Sequence, residues 1–442
     1  GTIIDAQGSG NIFTINSGVT VSLQNLTLKN GNNAGGFGGA IYNYGTLNIN
    51  KCNFTGNTAD IGGAIENDGG TLNVTNSIFK DNAADHSDPY FEGFGGAIDN
   101  YNGQLYAEQN IFTGNLADKG NAISHAGNNT AQAHFNIFND PGSGREIYSD
   151  GILIATNNWW SSNDNPESKV YGNVNCNPWI VLNIHVSPNI IETSGSSIVT
   201  ADLTHNSNGE DISSLGHIPD GWQVTFSTDS LGSLNPVNTT TINGKATTTF
   251  TAGTHIGDSA VNAKVDSQTV TDYITIERVK KSDIYVSPTG SDTDGDGSQS
   301  NPLQSIGEAL IWVLPEGRIH ISNGVYNGNK NRNMIISQNI SIIGESQAET
   351  IIDGSAGGIN AQIFNINSGI TVTIRDLTII NAFINGKGGA ISNSGALSII
   401  NCTFSDNAAT DNGGAIPNSG ALSITNCTFT GNVATIATGD TY

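Results

Sequence analysis

The chain has 442 residues, with 16 Lys and Arg against 39 Asp and Glu, a formal net charge of −23 and a pI near 4.4. Sixteen scattered cations form no basic patch, which excludes nucleic acid as a partner. With 55 Gly and only 12% charged residues the chain does not have the composition of a helical bundle, and 36% regularly spaced hydrophobic residues are too many for a disordered acidic chain. No run of 18 apolar residues occurs, so no membrane span is expected in this segment. The opening GTIIDAQG has no Met, basic region or apolar stretch and reads as a mature or internal piece.

Residues 1–181 are built from a repeat. GGAI begins at Gly38, Gly62 and Gly95, with GNAI at Gly120, and Phe-x-x-Asn follows at Phe54, Phe79 and Phe112. The steps between these phenylalanines are 25 and 33 residues, the longer one carrying an insertion near Asp85–Glu92. Seven and five residues before each Phe stand Leu47 and Ile49, Leu72 and Val74, Leu105 and Ala107. Apolar positions two apart are the signature of a half-buried strand. Short strands with Gly and Asn corners predict the coils of a right-handed parallel β-helix, whose neighbours must stack to bury a core. Asn43, Asn67, Asn100, Asn393 and Asn418, two residues after each GGAI, are expected to form a structural side-chain ladder. The last coils end in Trp159-Trp160 and then Pro178-Trp179, and two large aromatics there are expected to plug the open core.

Residues 182–279 change character. VTADLTH, WQVTFST, KATTTFTAG and YITIERV read as antiparallel strands, with Asn243-Gly244 as a two-residue hairpin turn. The pattern predicts an immunoglobulin-like β-sandwich without its disulfide. Residues 280–442 return to the solenoid. Ser305 and Glu308 form a capping box, Ile306, Leu310 and Val313 lie on one face of a cap helix, and Pro315 ends it. GGAI recurs at Gly388 and Gly413, with Phe404 and Phe429. The overall class is thus all-β, with 1–181 and 280–442 as β-helix segments flanking an Ig-like domain at 182–279.

The two solenoid segments are copies. IFTINSGVTVSLQNLTL at Ile12 matches IFNINSGITVTIRDLTI at Ile363, and Gly38 matches Gly388, an offset of 350 residues. The chain is therefore expected to start and, at Tyr442, to stop in mid-solenoid, as a slice of a tandem array or a subunit whose ends stack on neighbours.

Several groups could carry chemistry. Glu66 and Asp99 follow GGAI in adjacent coils and are expected ~5 Å apart, as an exposed acidic pair, a weak cation site or a catalytic pair. The equivalent positions are Tyr42, Ser124, Ser392 and Pro417, so the pair is not part of the repeat. Asp292, Asp294 and Asp296, followed by Gly297, match the first half of a Ca²⁺ loop, but Leu303 stands where its Glu belongs; a tight acidic turn is the other reading. Cys402 and Cys427, with Cys52 at the same position in the first segment, are read as buried thiols or, in the stacked pair, a disulfide. Eight N-x-S/T sequons, at Asn25, Asn53, Asn73, Asn128, Asn238, Asn339, Asn401 and Asn426, are glycosylation candidates if the protein is exported. No catalytic constellation is recognised, and Ca²⁺ is the one cofactor considered.

GGAI with Phe-x-x-Asn resembles the repeats of polymorphic outer-membrane adhesins. NNWW followed by PWIVLNIHVSP and an Ig-like unit is similar to the adhesin-like surface proteins of methanogenic archaea. IYVSPTGSDTDGDGSQSNPLQSIGEAL resembles the opening of their pectate-lyase-like domains, and the middle segment resembles invasin-type repeats. The resemblance implies an exported, extracellular protein of alternating β-helix and Ig-like modules. The function expected is a structural or adhesive cell-surface protein in a filament, sheath or surface layer. Its partners would be copies of itself or neighbouring modules end to end, and cell-wall or host glycans. The alternative is a carbohydrate-active enzyme or carbohydrate-binding module on the same fold.

Overall fold

The computed structural model describes residues 1–85, 91–139, 144–355 and 361–435. Part of the insertion near Asp85–Glu92, and Tyr442, lie outside them. The fold is all-β: parallel β-solenoid segments and an Ig-like sandwich, with one seven-residue α-helix, Ile306–Trp312, among the described residues. By compactness the chain divides into two units. The first holds residues 1–189, 196–251 and 259–274, so most sandwich strands belong with the first solenoid; the second holds 190–195, 252–258 and 275 onward.

One coil of the first unit shows how the repeat works. Strands Ile65–Asp68, Thr71–Thr75 and Ile78–Lys80 pair in parallel with Ile98–Tyr101, Gln104–Glu108 and Ile111–Thr113 of the next coil, in register, so that Leu72 faces Leu105 and Phe79 faces Phe112. GGAI fixes the corner. Gly62 has φ +65°, and a Cβ on Gly63 would meet the Gly96 carbonyl oxygen at 2.2 Å, so the first Gly supplies the turn and the second lets two coils touch. Phe54, Phe79, Phe112 and Phe138 stack with ring centroids 4.8, 5.1 and 5.2 Å apart, and Trp160 closes the stack 4.5 Å from Phe138. All five are fully buried, each contributing about 1.5–3 kcal/mol over an exposed side chain.

Two further ladders run inside the coils, and the sequence reading assigned them no role. They use the Asn of Phe-x-x-Asn and the Asn before Ile-Phe. Asn57 Nδ2 donates to Asn82 Oδ1 (2.9 Å), and Asn82 Nδ2 to Asn115 Oδ1 (2.9 Å). Asn110 Nδ2 donates to Asn136 Oδ1, and Asn136 Nδ2 to Asn158 Oδ1, both at 3.1 Å.

In the sandwich, a four-stranded sheet runs Ile180–Ser187, Ser196–Asn206, Lys245–Ala252, Gly232–Asn235. A five-stranded sheet runs Ile190–Glu192, Gln268–Glu277, Gly257–Val265, Gln223–Thr228, Asn238–Thr240. Asn243 and Gly244 have φ +51° and +75° and form a tight turn closed by Ile242 and Lys245. The two-residue turn is as expected, but beyond its Ile242–Lys245 pair the chain parts, with Asn238–Thr240 in one sheet and Lys245–Ala252 in the other.

In the second unit, strand Lys281–Val286 starts a six-stranded parallel sheet continued by Val313–Ile321 and Ile340–Gly344. The helix before Val313 buries Ile306 and Ala309. Two expectations are corrected here. The helix ends at Trp312, and Pro315 lies inside strand Val313–Ile321 rather than ending it, with Val313 already extended. The capping box is half formed: Ser305 Oγ accepts from the Glu308 amide (3.3 Å), but the Ser305 amide donates to Asp292 Oδ1 (2.9 Å). The Glu308 carboxylate instead holds Trp312 Nε1, Arg278 and Lys330.

Candidate functional site

The outward positions of successive coils form a row: Tyr42 pairs with Glu66, Glu66 with Asp99, Asp99 with Ser124, and Ser124 with Tyr148. A second row carries Asp68, Tyr101 and Ala126. Outward side chains of such a sheet ordinarily meet water. Here Phe37, Ile61 and Phe94 help wall a cleft of about 390 Å³ whose polar lining is Glu66, Asp68, Asp99, Ser124 and Asp150 with the phenol of Tyr42. The exposed acidic pair expected from the repeat is therefore buried: Glu66 is 2% and Asp99 5% exposed.

Burial dominates the electrostatics. Loss of solvent, then the charge of Asp99, pushes the Glu66 carboxyl well above the usual range. Burial likewise pushes Asp99 up to about 6, with the neighbouring Ser124 and Glu66 side chains opposing it. Glu66 Oε2 has no hydrogen-bond partner. The Tyr42 hydroxyl donates to Asp68 Oδ2 (3.1 Å) and the Tyr148 hydroxyl to Asp150 Oδ1 (2.8 Å), so both phenol donors are already used. Spacing in the sequence announces the Glu66–Asp99 pairing; nothing in the repeat announces the cover over it.

The other candidates fall elsewhere. Asp292 Oδ1 accepts from the Gln304 and Ser305 amides, and Oδ2 from Ser305 Oγ (2.7 Å) and Lys330 Nζ (3.2 Å). Burial would raise its pKa, but these bonds hold it below the usual carboxylate range. Asp294 meets His255 (3.2 Å) and Ser291, and Asp296 meets Lys281 (3.2 Å) and the Ser298 amide. The three carboxylates thus anchor the cap helix and its turn, and among the described residues no three His, Cys, Asp or Glu side chains are grouped to hold a metal.

Asn43 Nδ2 donates to Asn67 Oδ1 (2.6 Å), Asn67 is bonded in turn to Asn100, and Asn393 donates to Asn418 (2.6 Å). His125 Nδ1 continues the first ladder 2.8 Å from Asn100. Cys52, Cys176, Cys402 and Cys427 are unpaired; the Cys402 amide donates to Cys427 Sγ (3.4 Å), and burial pushes the Cys402 thiol up to about 11. Of the sequon residues, Asn25, Asn53, Asn128, Asn238 and Asn426 are exposed, while Asn73, Asn339 and Asn401 are half-buried.

The tryptophans part company. Trp160 ends the Phe stack, whereas Trp159 donates through Nε1 to Asp266 Oδ2 (2.7 Å), which also accepts from Trp222 Nε1 (3.1 Å). Asp266 thereby joins the solenoid to the sandwich strands within the first unit. Asp266→Ala strands two indole N–H groups and is expected to cost roughly 1–3 kcal/mol. The check is a lower urea midpoint with a shifted tryptophan emission maximum.

Residues 401–416 match the Chlamydia polymorphic membrane protein repeat; they span the Cys402–Phe404–Asn407 strand and the GGAI corner that follows. No curated protein matches the chain. Among solved structures the chain is similar to the D0-D1 domain of Intimin, at 21% identity over 22% of this chain and 47% of that one, TM-score 0.17. It is similar to the Yersinia pseudotuberculosis adhesin InvE, at 27% identity over 22% and 28%, TM-score 0.18. It is also similar to domains 4 and 5 of the S-layer protein SbsC, at 15% identity over 24% and 55%, TM-score 0.17. The chain thus spans 28–55% of the length of these structures. Fold and repeat together define an all-β protein in which a parallel β-solenoid accompanies an Ig-like sandwich. Within the solenoid, residues 401–416 match the polymorphic membrane protein repeat. None of its described helices is long and apolar enough to cross a membrane.

Proposed function

We propose that the chain is a module of an adhesin-like cell-surface protein, non-enzymatic and repeated in tandem, of the kind the sequence resembles in methanogens. One observation carries this reading: the solenoid recurs at a fixed offset with its strands intact. Ile41–Asn43, Thr46–Asn50 and Asn53–Thr55 recur as Ile391–Asn393, Ala396–Ile400 and Thr403–Ser405. Chains that repeat whole modules suit extended, load-bearing surfaces. The polymorphic membrane protein repeat supports a surface location.

The array would form by coil-on-coil stacking between neighbouring modules or copies. Rows of outward Asn, Ser and Thr, some glycosylated, would face cell-wall or host glycans. A protein of three successive modules, imaged by electron microscopy, is expected to show a regular repeat of one unit per module; particles without that period would refute tandem assembly.

The second reading, a carbohydrate-active enzyme or carbohydrate-binding module, draws on the Glu66–Asp99 cleft alone. Release of reducing sugar from a wall polysaccharide, lost in Glu66→Gln, would favour it over the first.

A further inference from the structure

The cleft of the first solenoid has a chemistry that the stacking of coils does not require. Two of its polar atoms, Glu66 Oε2 and Ser124 Oγ, are buried without a hydrogen-bond partner. An unmet carboxylate oxygen in such a place costs stability unless something fills it. Asp99 lies beside it in register, and Asp68 and Asp150 stand at the same cleft. No lining residue is a cation. With the Tyr42 and Tyr148 hydroxyls already donating to Asp68 and Asp150, four carboxyl groups outnumber the donors left at the cleft, the unpartnered Ser124 hydroxyl and the Tyr101 phenol. A ligand that brings donors and positive charge suits such a lining. The remaining lining is the rings of Phe37, Tyr42, Phe94 and Tyr101, with Ile61 and Ala126. Rings beside carboxylates attract an organic cation through its charge and its apolar stem. Phe94 already meets one such cation: Lys119 Nζ lies 5.2 Å from its ring and 4.9 Å from that of Tyr148.

We infer that the cleft over Glu66 and Asp99 binds a primary ammonium group on an apolar stem, the chemistry of a lysyl side chain or an alkyl diamine. Three N–H donors suit Glu66 Oε2, Asp99 and Ser124, and the stem lies against Phe37, Tyr42 and Phe94. A neutral saccharide would leave the acidic cluster uncompensated. A metal ion would need a grouped ligand set, which the described residues do not supply. The site belongs to the first solenoid alone: in the second, the same row carries Asn365 and Ser392, which pair with each other and hold no charge. It stands independently of the tandem-module reading.

Isothermal titration of the full chain with n-butylammonium, putrescine and Nα-acetyl-lysine methylamide at pH 7.5 tests it. All three are expected to bind saturably. The lysine derivative acetylated at Nε should not bind, and Glu66→Gln and Asp99→Asn should each weaken binding at least tenfold with an unchanged circular dichroism spectrum. Preference for putrescine over the lysine derivative identifies a free diamine as the source, and the reverse a protein partner. No heat from any ammonium at 10 mM, equal binding of the acetylated form, unaltered affinity in both variants, or tighter binding of glucosamine than of butylammonium would each overturn the assignment.

Discussion

Asn82→Ala is expected to lower the unfolding free energy by roughly 3–5 kcal/mol, an unusually large effect for a single polar side chain. Asn82 is fully buried. Its Oδ1 accepts from the Asn57 amide (3.1 Å) and Asn57 Nδ2 (2.9 Å); its Nδ2 donates to the Phe54 carbonyl (3.0 Å) and to Asn115 Oδ1 (2.9 Å). Truncation removes four bonds at once and leaves donors and acceptors on two neighbouring coils without solvent to replace them. A desolvated group left unmet costs about 1–3 kcal/mol. The control is Asn48→Ala. Asn48 also accepts from a ladder neighbour, Asn73 Nδ2 at 2.8 Å, but both are half-buried, so water substitutes and the loss should stay under about 1 kcal/mol. Urea unfolding followed by tryptophan emission separates the two, since Trp159, Trp160, Trp179 and Trp222 all lie in the first unit.

The second large effect is a stability that falls as pH rises. Asp99 ionises at about 6 when folded, against an ordinary 3.8, and Glu66 is raised as well. Between those values the native state holds more protons than the unfolded one, so stability is fully present below about pH 4 and is lost as pH climbs through 6 and beyond. The Asp99 shift alone corresponds to roughly 3 kcal/mol. Asp68 and Asp150 line the same cleft as the pair, as do the Tyr42 and Tyr101 phenols, and Lys119 lies over the Phe94 ring. In Glu66→Gln/Asp99→Asn the share of the slope that the pair supplies should be lost. The double variant should then exceed the parent by about 2–3 kcal/mol at pH 7.5 and match it at pH 4. Urea midpoints across that range measure it; a parent whose stability rises from pH 4 to 7 would show that the two carboxyls do not govern it.

These effects also mark where the sequence is readable. The coil period, the inward Leu, Ile and Phe positions and the pairing of Glu66 with Asp99 follow from spacing, because parallel stacking places equivalent residues one above another. The ladder role of the Phe-x-x-Asn asparagine is hidden because an Asn three residues after a core Phe reads equally well as a corner. The cover over Glu66 is hidden for a different reason. Phe37, Ile61 and Phe94 lie in segments of irregular register, and no period-2 pattern records that they fold over the outer face. The Asp266 clamp joins residues 107 apart in sequence and leaves no local mark. Asp292, Asp294 and Asp296 have the spacing of a metal loop, but the spacing does not announce that Asp292 bonds the Ser305 amide and Lys330, Asp294 His255, and Asp296 Lys281.

Cell-surface display is the central claim, and antibody labelling of unbroken cells tests it most directly. Antibodies raised against the chain should label intact cells that express the parent protein, and brief protease treatment of those cells should remove the signal. Labelling that appears only after lysis would contradict the account.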